Sequence, residues 1–226
     1  QEQGFKTTEY LPHGIDLNIF NTSYKSNEWK KSLNIQDKKV LLYVGRLVWE
    51  KDLRTLIEIY DQLTGLRDDV SFVLVGDGPI RKELEKHMPE AQFLGYKTGE
   101  ELSKIYASSD LFIFPSTTET FGNVVIEAMA SGTVPVCSNE GGASSSIRNN
   151  HNGIICDAKN SFDYSKKILG LINNQTELQR ISDNCVEYAS KQSWDNIFSI
   201  QYQDDLDVIK NKTEDNNLIT RSEERR

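Results

Sequence analysis

From Val40 onward the chain alternates short apolar runs with segments of helical period, and that alternation restricts the fold more than any single residue does. The runs VLLYVG (40–45), VSFVLVG (70–76), DLFIFP (110–115) and VPVCS (134–138) are rich in β-branched and aromatic residues, and each is halted by Gly, Pro or Ser. Unbroken apolar character over so short a span marks strands buried on both faces. Between them, Leu53, Leu56, Ile57, Tyr60 and Leu63 keep the spacing of one helix face behind Asp52, read as a capping residue. PIRKELEKHM opens with Pro79 at a first helical position, and Glu101 to Ala107 gives a further short helix with Leu102, Ile105 and Tyr106 inward. Parallel neighbours need a crossover, usually a helix, so the pattern predicts an α/β fold: a parallel sheet with helices on both faces. Ligands of such sheets sit outside the carboxyl ends of the strands, which directs attention to the loops that follow them.

The 226 residues suffice for one α/β domain with appendages and are too few for two comfortable ones. Residues 1–36 read as an interdomain lead-in and the start of the domain, residues 37–208 as the domain with its C-terminal helices, and residues 209–226 as a tail with little to bury. The last helical segment, SWDNIFSIQYQDDL, carries apolar surface at Trp194, Ile197, Phe198, Ile200 and Tyr202. A hydrophobic share of 37% and a charged share of 27% fit a soluble globular protein. The formal charge of −8, with no dense Lys/Arg block, argues against nucleic acid as a partner. No apolar run approaches the ~18 residues that span a bilayer, so no transmembrane segment is expected. Cys137, Cys156 and Cys185 stand singly, without CxxC or a zinc-like Cys/His spacing, and read as small buried hydrophobes in a reducing, cytoplasmic compartment with no metal site.

Three post-strand loops can carry chemistry. After the first strand, Gly45 permits a tight turn, and Arg46 and Lys51 flank the loop into the next helix, either as solvated charges or as cations aimed at the carboxyl edge. After the second, GDGP (76–79) lacks the third glycine of a dinucleotide fingerprint, since Arg81 stands there, and is equally a ligand turn at Gly76 or a bare strand-to-helix turn. After the third comes ETFGNVVIEAMASG (119–132). A helix starting near Phe121 or Gly122 leaves the amides of Gly122, Asn123 and Val124 free for an anion. Glu127 then lies about 7 Å further along the axis at ~1.5 Å per residue, comparable with the reach from a diphosphate to its own ribose. A vicinal diol can satisfy such a carboxylate without adding charge, and so can a neighbouring backbone group or arginine. All these groups fall on one edge of one sheet, which is where a sugar-bearing nucleoside diphosphate would bind.

Taken in order, these residues resemble the nucleotide-sugar half of retaining GT-B glycosyltransferases, the glycosyl transferases group that includes glycogen and sucrose synthases. The resemblance runs through PHGID (12–16), Gly45–Arg46–Leu47 with Lys51, GDGP (76–79), FLGY (93–96), the pair Glu119 and Glu127, GG (141–142) and SW (193–194). It implies a Rossmann-like domain forming one half of a GT-B fold. It further implies that Arg46 and Lys51 hold the donor diphosphate and stabilise it as it leaves, that Glu127 binds the ribose hydroxyls, and that Glu119 lies by the donor sugar. Backbone groups around Leu94 and Tyr96 then resemble the base-contacting segment, and the amides of Phe121, Gly122 and Asn123 the segment that contacts sugar and phosphates.

The expected activity is hexosyl transfer (EC 2.4.1.-) from a UDP- or GDP-sugar, without a metal or other cofactor. The family places a second, acceptor-binding domain before this one, and nothing ahead of Val40 forms it, so the chain is expected to transfer little alone. It would work with that domain in cis or trans, any peripheral membrane contact being made by the absent part. Two departures from the family pattern stand out. Ser145 occupies a position that is often glutamate after GG, and His13, His87 and His151 match no active-site histidine. The alternatives are half of a nucleotide-sugar 2-epimerase, or a non-catalytic module that keeps the pocket as a relic.

Overall fold

A computed structural model describes residues 14–199 and Tyr202. It contains two compact units, Ile15–Lys191 and a second whose described part is Gly14, residues 192–199 and Tyr202. The readings made for Pro12, His13 and residues 209–226 lie outside the described residues.

In the larger unit a short helix α1 (Asn27–Ser32) precedes β1 (Lys39–Val44), α2 (Leu53–Thr64), β2 (Val70–Val75), α3 (Arg81–His87), β3 (Gln92–Gly95) and α4 (Gly99–Ala107). There follow β4 (Leu111–Phe114), α5 (Asn123–Ala130), β5 (Val134–Ser138), β6 (Ile154–Cys156), α6 (Ser161–Ile172) and α7 (Gln175–Ser190). The six strands form one sheet in the order β3-β2-β1-β4-β5-β6, and every neighbouring pair is parallel. The strand order runs outward from β1 in both directions and reverses between β1 and β4, and because parallel crossovers are right-handed as a rule, this order places helices on both faces. This is the Rossmann-like parallel sheet that the alternating pattern predicts.

The runs are apolar throughout because the central strands are covered on both sides: β2, β4 and β5 are buried at every position. Leu53, Leu56, Tyr60 and Leu63 of α2 and Leu102, Ile105 and Tyr106 of α4 are buried as their spacing requires, while Ile57 is only partly covered. A chain of aromatic contacts runs through this core beneath the carboxyl edge. Tyr43 stacks on Phe114 at 6.1 Å, Phe114 on Phe112 at 5.4 Å, and Tyr106 meets Phe112 edge-on at 5.9 Å. At the opposite edge the Asp110 carboxylate accepts from the Val40 amide at 2.8 Å and pairs with Lys30 and Lys39, tying α1 to the sheet.

Several local readings need correction. Asp52 stands at the N-cap of α2, but its side chain makes no capping bond; it reaches Thr117 instead, as described below. The helix predicted from Pro79 begins at Arg81, because the Ile80 amide is turned toward the Leu47 carbonyl rather than into a helical ladder. The edge strand β3 is half-buried along its length and β6 has only 3 residues, so neither shows the dense apolar signature of the central strands. In the second unit residues 194–199 are helical. There the Trp194 ring stacks on Phe198 at 5.6 Å and lies against Gly14, where a Cβ would collide with it; Trp194 and Phe198 remain exposed.

Candidate functional site

The reversal between β1 and β4 opens a cleft outside the strand ends, and the loops after β1, β2 and β4 form its walls. The two glycine turns are laced together: the Gly45 amide donates to the Val75 carbonyl at 3.0 Å and the Leu47 amide to the Asp77 carbonyl at 2.9 Å. Gly76 has φ +126°, and a Cβ there would strike the Gly45 carbonyl; one on Gly78 would strike the Leu47 carbonyl. The glycines of GDGP are therefore required sterically by the neighbouring turn. The cavity so enclosed measures about 640 Å³, and its walls include Gly45, Arg46, Gly76, Asp77, Tyr96 and Glu127. That volume suits a nucleotide-sized ligand.

Glu127 projects from the second turn of α5 into this cavity. Its Oε2 accepts from the hydroxyl of Tyr106 at 3.0 Å, and Oε1 has no protein donor among the described residues. Burial raises the carboxyl above its ordinary value of 4.5, and the Tyr106 bond pulls it partly back. Burial, reinforced by the neighbouring carboxylate, pushes the Tyr106 phenol well up, so it stays a donor. Fully buried Tyr106 is itself fixed by edge contacts with Phe20 at 5.9 Å and with Phe112.

α5 starts at Asn123 behind Gly122, whose left-handed φ of +66° suits a residue without a Cβ; a Cβ there would press on Ala143. The amides of Gly122, Asn123 and Val124 precede the first α-helical bond and open at the positive end of the helix. They flank a smaller hollow of about 180 Å³ that reaches from Glu119 to Val124, and Val124 also lines the larger cavity. At its mouth Lys51 Nζ and Glu119 Oε2 form an ion pair at 2.7 Å, with Lys51 the more buried partner. Arg46 is exposed on the larger cavity and makes no ion pair among the described residues. Its carbonyl accepts from the Tyr43 hydroxyl at 3.1 Å. Burial raises the Tyr43 phenol, Glu119 adds to the effect and Arg46 opposes it, which places that hydroxyl within the field of both.

The structure thus brings Arg46, Lys51, Glu119 and Glu127 together on one edge with Gly45, Gly76, Tyr96 and residues 121–124. Leu94 packs against the core and does not line the cavity, while Tyr96 beyond it is exposed on the rim. Ser145, in the position that is often glutamate in the resembled family, turns its hydroxyl back onto the Gly142 carbonyl at 2.7 Å. His87 and His151 are exposed and line no part of the cleft. Among the described residues no three His, Cys, Asp or Glu side chains cluster as metal ligands. Tyr43 and Tyr106 were legible only as core aromatics, since nothing in their spacing announces what a buried hydroxyl will touch. The bond from Asp52 to Thr117 joins positions 65 apart in sequence and has no local signature.

Residues 25–192 match the family model for glycosyl transferases group 1, and the chain belongs to that family. A GDP-mannose-dependent alpha-mannosyltransferase of Corynebacterium glutamicum is 32% identical over 213 residues, which cover 92% of this chain and 50% of that relative. HepE of Anabaena, solved in complex with UDP, has the same fold with a TM-score of 0.73 at 24% identity, covering 87% of this chain and 56% of that one. The C-terminal domain of the group 1 protein LpcC of Francisella tularensis gives a TM-score of 0.72 at 22% identity, covering 79% of this chain and 98% of that one. The fold is therefore the Rossmann-like domain of GT-B glycosyltransferases. The chain spans about half the length of the Corynebacterium relative.

Proposed function

We propose that this chain is the donor-binding domain of a retaining hexosyltransferase whose donor is a UDP- or GDP-sugar. The observation that carries the reading is that Arg46 and the Tyr106-backed Glu127 line one cavity, while the open amides of α5 and Glu119, paired with Lys51, border the hollow next to it, with Val124 lining both. A diphosphate lying between Arg46 and the α5 amides would draw Lys51 from Glu119, since phosphate offers a doubly charged partner. Glu127 would then take the two ribose hydroxyls on its unused Oε1, and Glu119, released, would face the hydroxyls of the sugar.

On transfer the bond between the anomeric carbon and the diphosphate breaks, and negative charge grows on the departing phosphate. Preorganised donors aimed at developing charge are each worth about 10²–10³ in rate. Arg46, Lys51 and the helix amides are assigned that role. The names of the mannosyltransferase relative and of the UDP complex support a nucleoside-diphosphate hexose as donor. Because relatives extend to about twice this length, the acceptor is assigned to a second domain in cis or trans, and the isolated chain is expected to transfer little. Three buried free thiols fit a reducing, cytoplasmic setting.

Calorimetric titration with UDP, GDP and NAD tests the reading. Binding of UDP or GDP with NAD excluded is the expected result, and a preference for NAD rejects it. With an acceptor domain supplied, Lys51→Ala should lower transfer by about 10²-fold; unchanged transfer would remove Lys51 from the charge-stabilising role.

A further inference from the structure

We infer that Asp52 is a positioning residue: by clamping the β4–α5 loop against the β1–α2 loop, it sets the register in which Lys51 meets Glu119. Three consecutive residues of the first loop each hold the second. The Glu50 carbonyl accepts from Thr118 Oγ1 at 3.0 Å, Lys51 pairs with Glu119 at 2.7 Å, and Asp52 Oδ2 accepts from both the Thr117 amide at 2.9 Å and the Thr117 hydroxyl at 2.7 Å. A third loop closes on the far side. The Gly142 amide donates to the Glu119 carbonyl at 2.6 Å, and Gly141 lies so close to the Thr117 carbonyl that a Cβ would not fit. Thr117 is thus held from both sides, two residues before Glu119.

What separates Asp52 from an ordinary loop residue is what it forgoes. An aspartate at a helix N-cap normally accepts from the second or third amide of its own helix, yet this one makes no such bond to α2. Its backbone is also left-handed, with φ 54° and ψ 35°, a conformation that strains a side-chain-bearing residue and suits glycine. Glycine would relax the turn, and a capping side chain would steady the helix. Aspartate here does neither, and its carboxylate goes to the loop that carries Glu119. Lys51, adjacent to it, is held with its side chain 13% exposed and its ammonium against a carboxylate that belongs to the other loop. A shift of either loop by one residue would separate the pair.

The geometric claim stands by itself, while its consequence for nucleotide binding rests on the donor-site reading above. Acylation of Lys51 in the full chain by an amine-reactive reagent, followed by peptide mass spectrometry, reads the register directly, with exposed Lys82 as the internal standard and Lys39, at the opposite edge, as the reporter of general loosening. Asp52→Gly should still fold, because relief of the left-handed strain offsets part of what is lost with the two Thr117 hydrogen bonds. Its Lys51 should nevertheless react about fivefold or more faster than in the wild type, approaching Glu119→Gln, while half-buried Lys39 keeps its wild-type rate. Asp52→Asn, which tolerates the same backbone and keeps an acceptor for Thr117, should remain close to wild type. The inference is overturned if Lys51 stays as protected in Asp52→Gly as in the wild type, or if the reaction of Lys39 accelerates in parallel. Titration with UDP and GDP adds the functional arm: Asp52→Gly should weaken binding several-fold in the wild-type background and not further in Lys51→Ala. An equal loss in both backgrounds would show that Asp52 does not act through Lys51. If the wild type binds neither nucleotide the donor reading falls, and Lys51 reactivity still decides the register.

Discussion

The hydroxyl of Tyr106, fully buried on α4, donates to Oε2 of Glu127 on α5 across 3.0 Å, and Oε1 of this cavity-lining residue has no donor among the described residues. One side chain thus engages one of the two carboxylate oxygens and leaves the other to a ligand. An acid held in this way is costly to the fold and useful to a ligand, because burial disfavours its charge until a diol arrives.

That cost has a defined pH dependence. The folded pKa of Glu127 lies above its ordinary 4.5, so its stabilising contribution is complete below that value and is lost as pH rises through the folded one. Glu127→Gln should therefore raise the thermal midpoint at pH 7, with the advantage vanishing near pH 4, while weakening UDP or GDP binding by about tenfold or more. A midpoint gain that is the same at both pH values would show that ionisation of Glu127 is not the cause.

Tyr106→Phe removes the hydroxyl and keeps the ring against Phe20 and Phe112. Leaving Oε2 unsatisfied should cost about 1–3 kcal/mol at neutral pH. The Tyr106 bond lowers the Glu127 pKa, so its loss should move carboxyl titration, followed by NMR, to higher pH. A titration midpoint that stays in place or falls contradicts the assigned bond.

The glycine turns separate steric need from helix propensity. Gly76→Ala meets both a φ of +126° and the Gly45 carbonyl, and should destabilise the chain by about 3 kcal/mol or more in denaturant unfolding. Gly170 in α6 has open space around it, so Gly170→Ala should stabilise by about 0.5–1 kcal/mol.

Cys137, Cys156 and Cys185 are buried and free, and burial raises all three thiols, Cys156 to about 12. A thiol reagent should label none of them quickly in the native chain and all of them after unfolding. Rapid native labelling of Cys185 would mean that α7 opens far more often than its packing implies.

The sheet was legible because strands covered on both faces need unbroken apolar runs, and β1, β2, β4 and β5 have them. Half-covered β3 and three-residue β6 did not announce themselves, since an edge or a short pairing asks little of composition. Arg46, Lys51, Glu119 and Glu127 could be gathered in advance because topology sends every post-strand loop to the same edge. Their detailed pairing could not. Lys51 meets Glu119 and Asp52 meets Thr117 through contacts 68 and 65 residues apart, set by how the loops pack. Asp52 before an amphipathic run matched a helix cap at the level of residue types, and the tertiary contact prevailed over that local preference.

The central claim is that one nucleoside diphosphate spans the cleft from Arg46 and Lys51 to Glu127. A crystal structure of the chain soaked with UDP or GDP tests it most directly. The account predicts phosphate oxygens within hydrogen-bond distance of Lys51 and the amides of residues 122–124, Lys51 separated from Glu119, and both ribose hydroxyls on Glu127. A nucleotide seated elsewhere, such as the hollow beside Arg148 and Lys191, or a ribose turned away from Glu127, would contradict it.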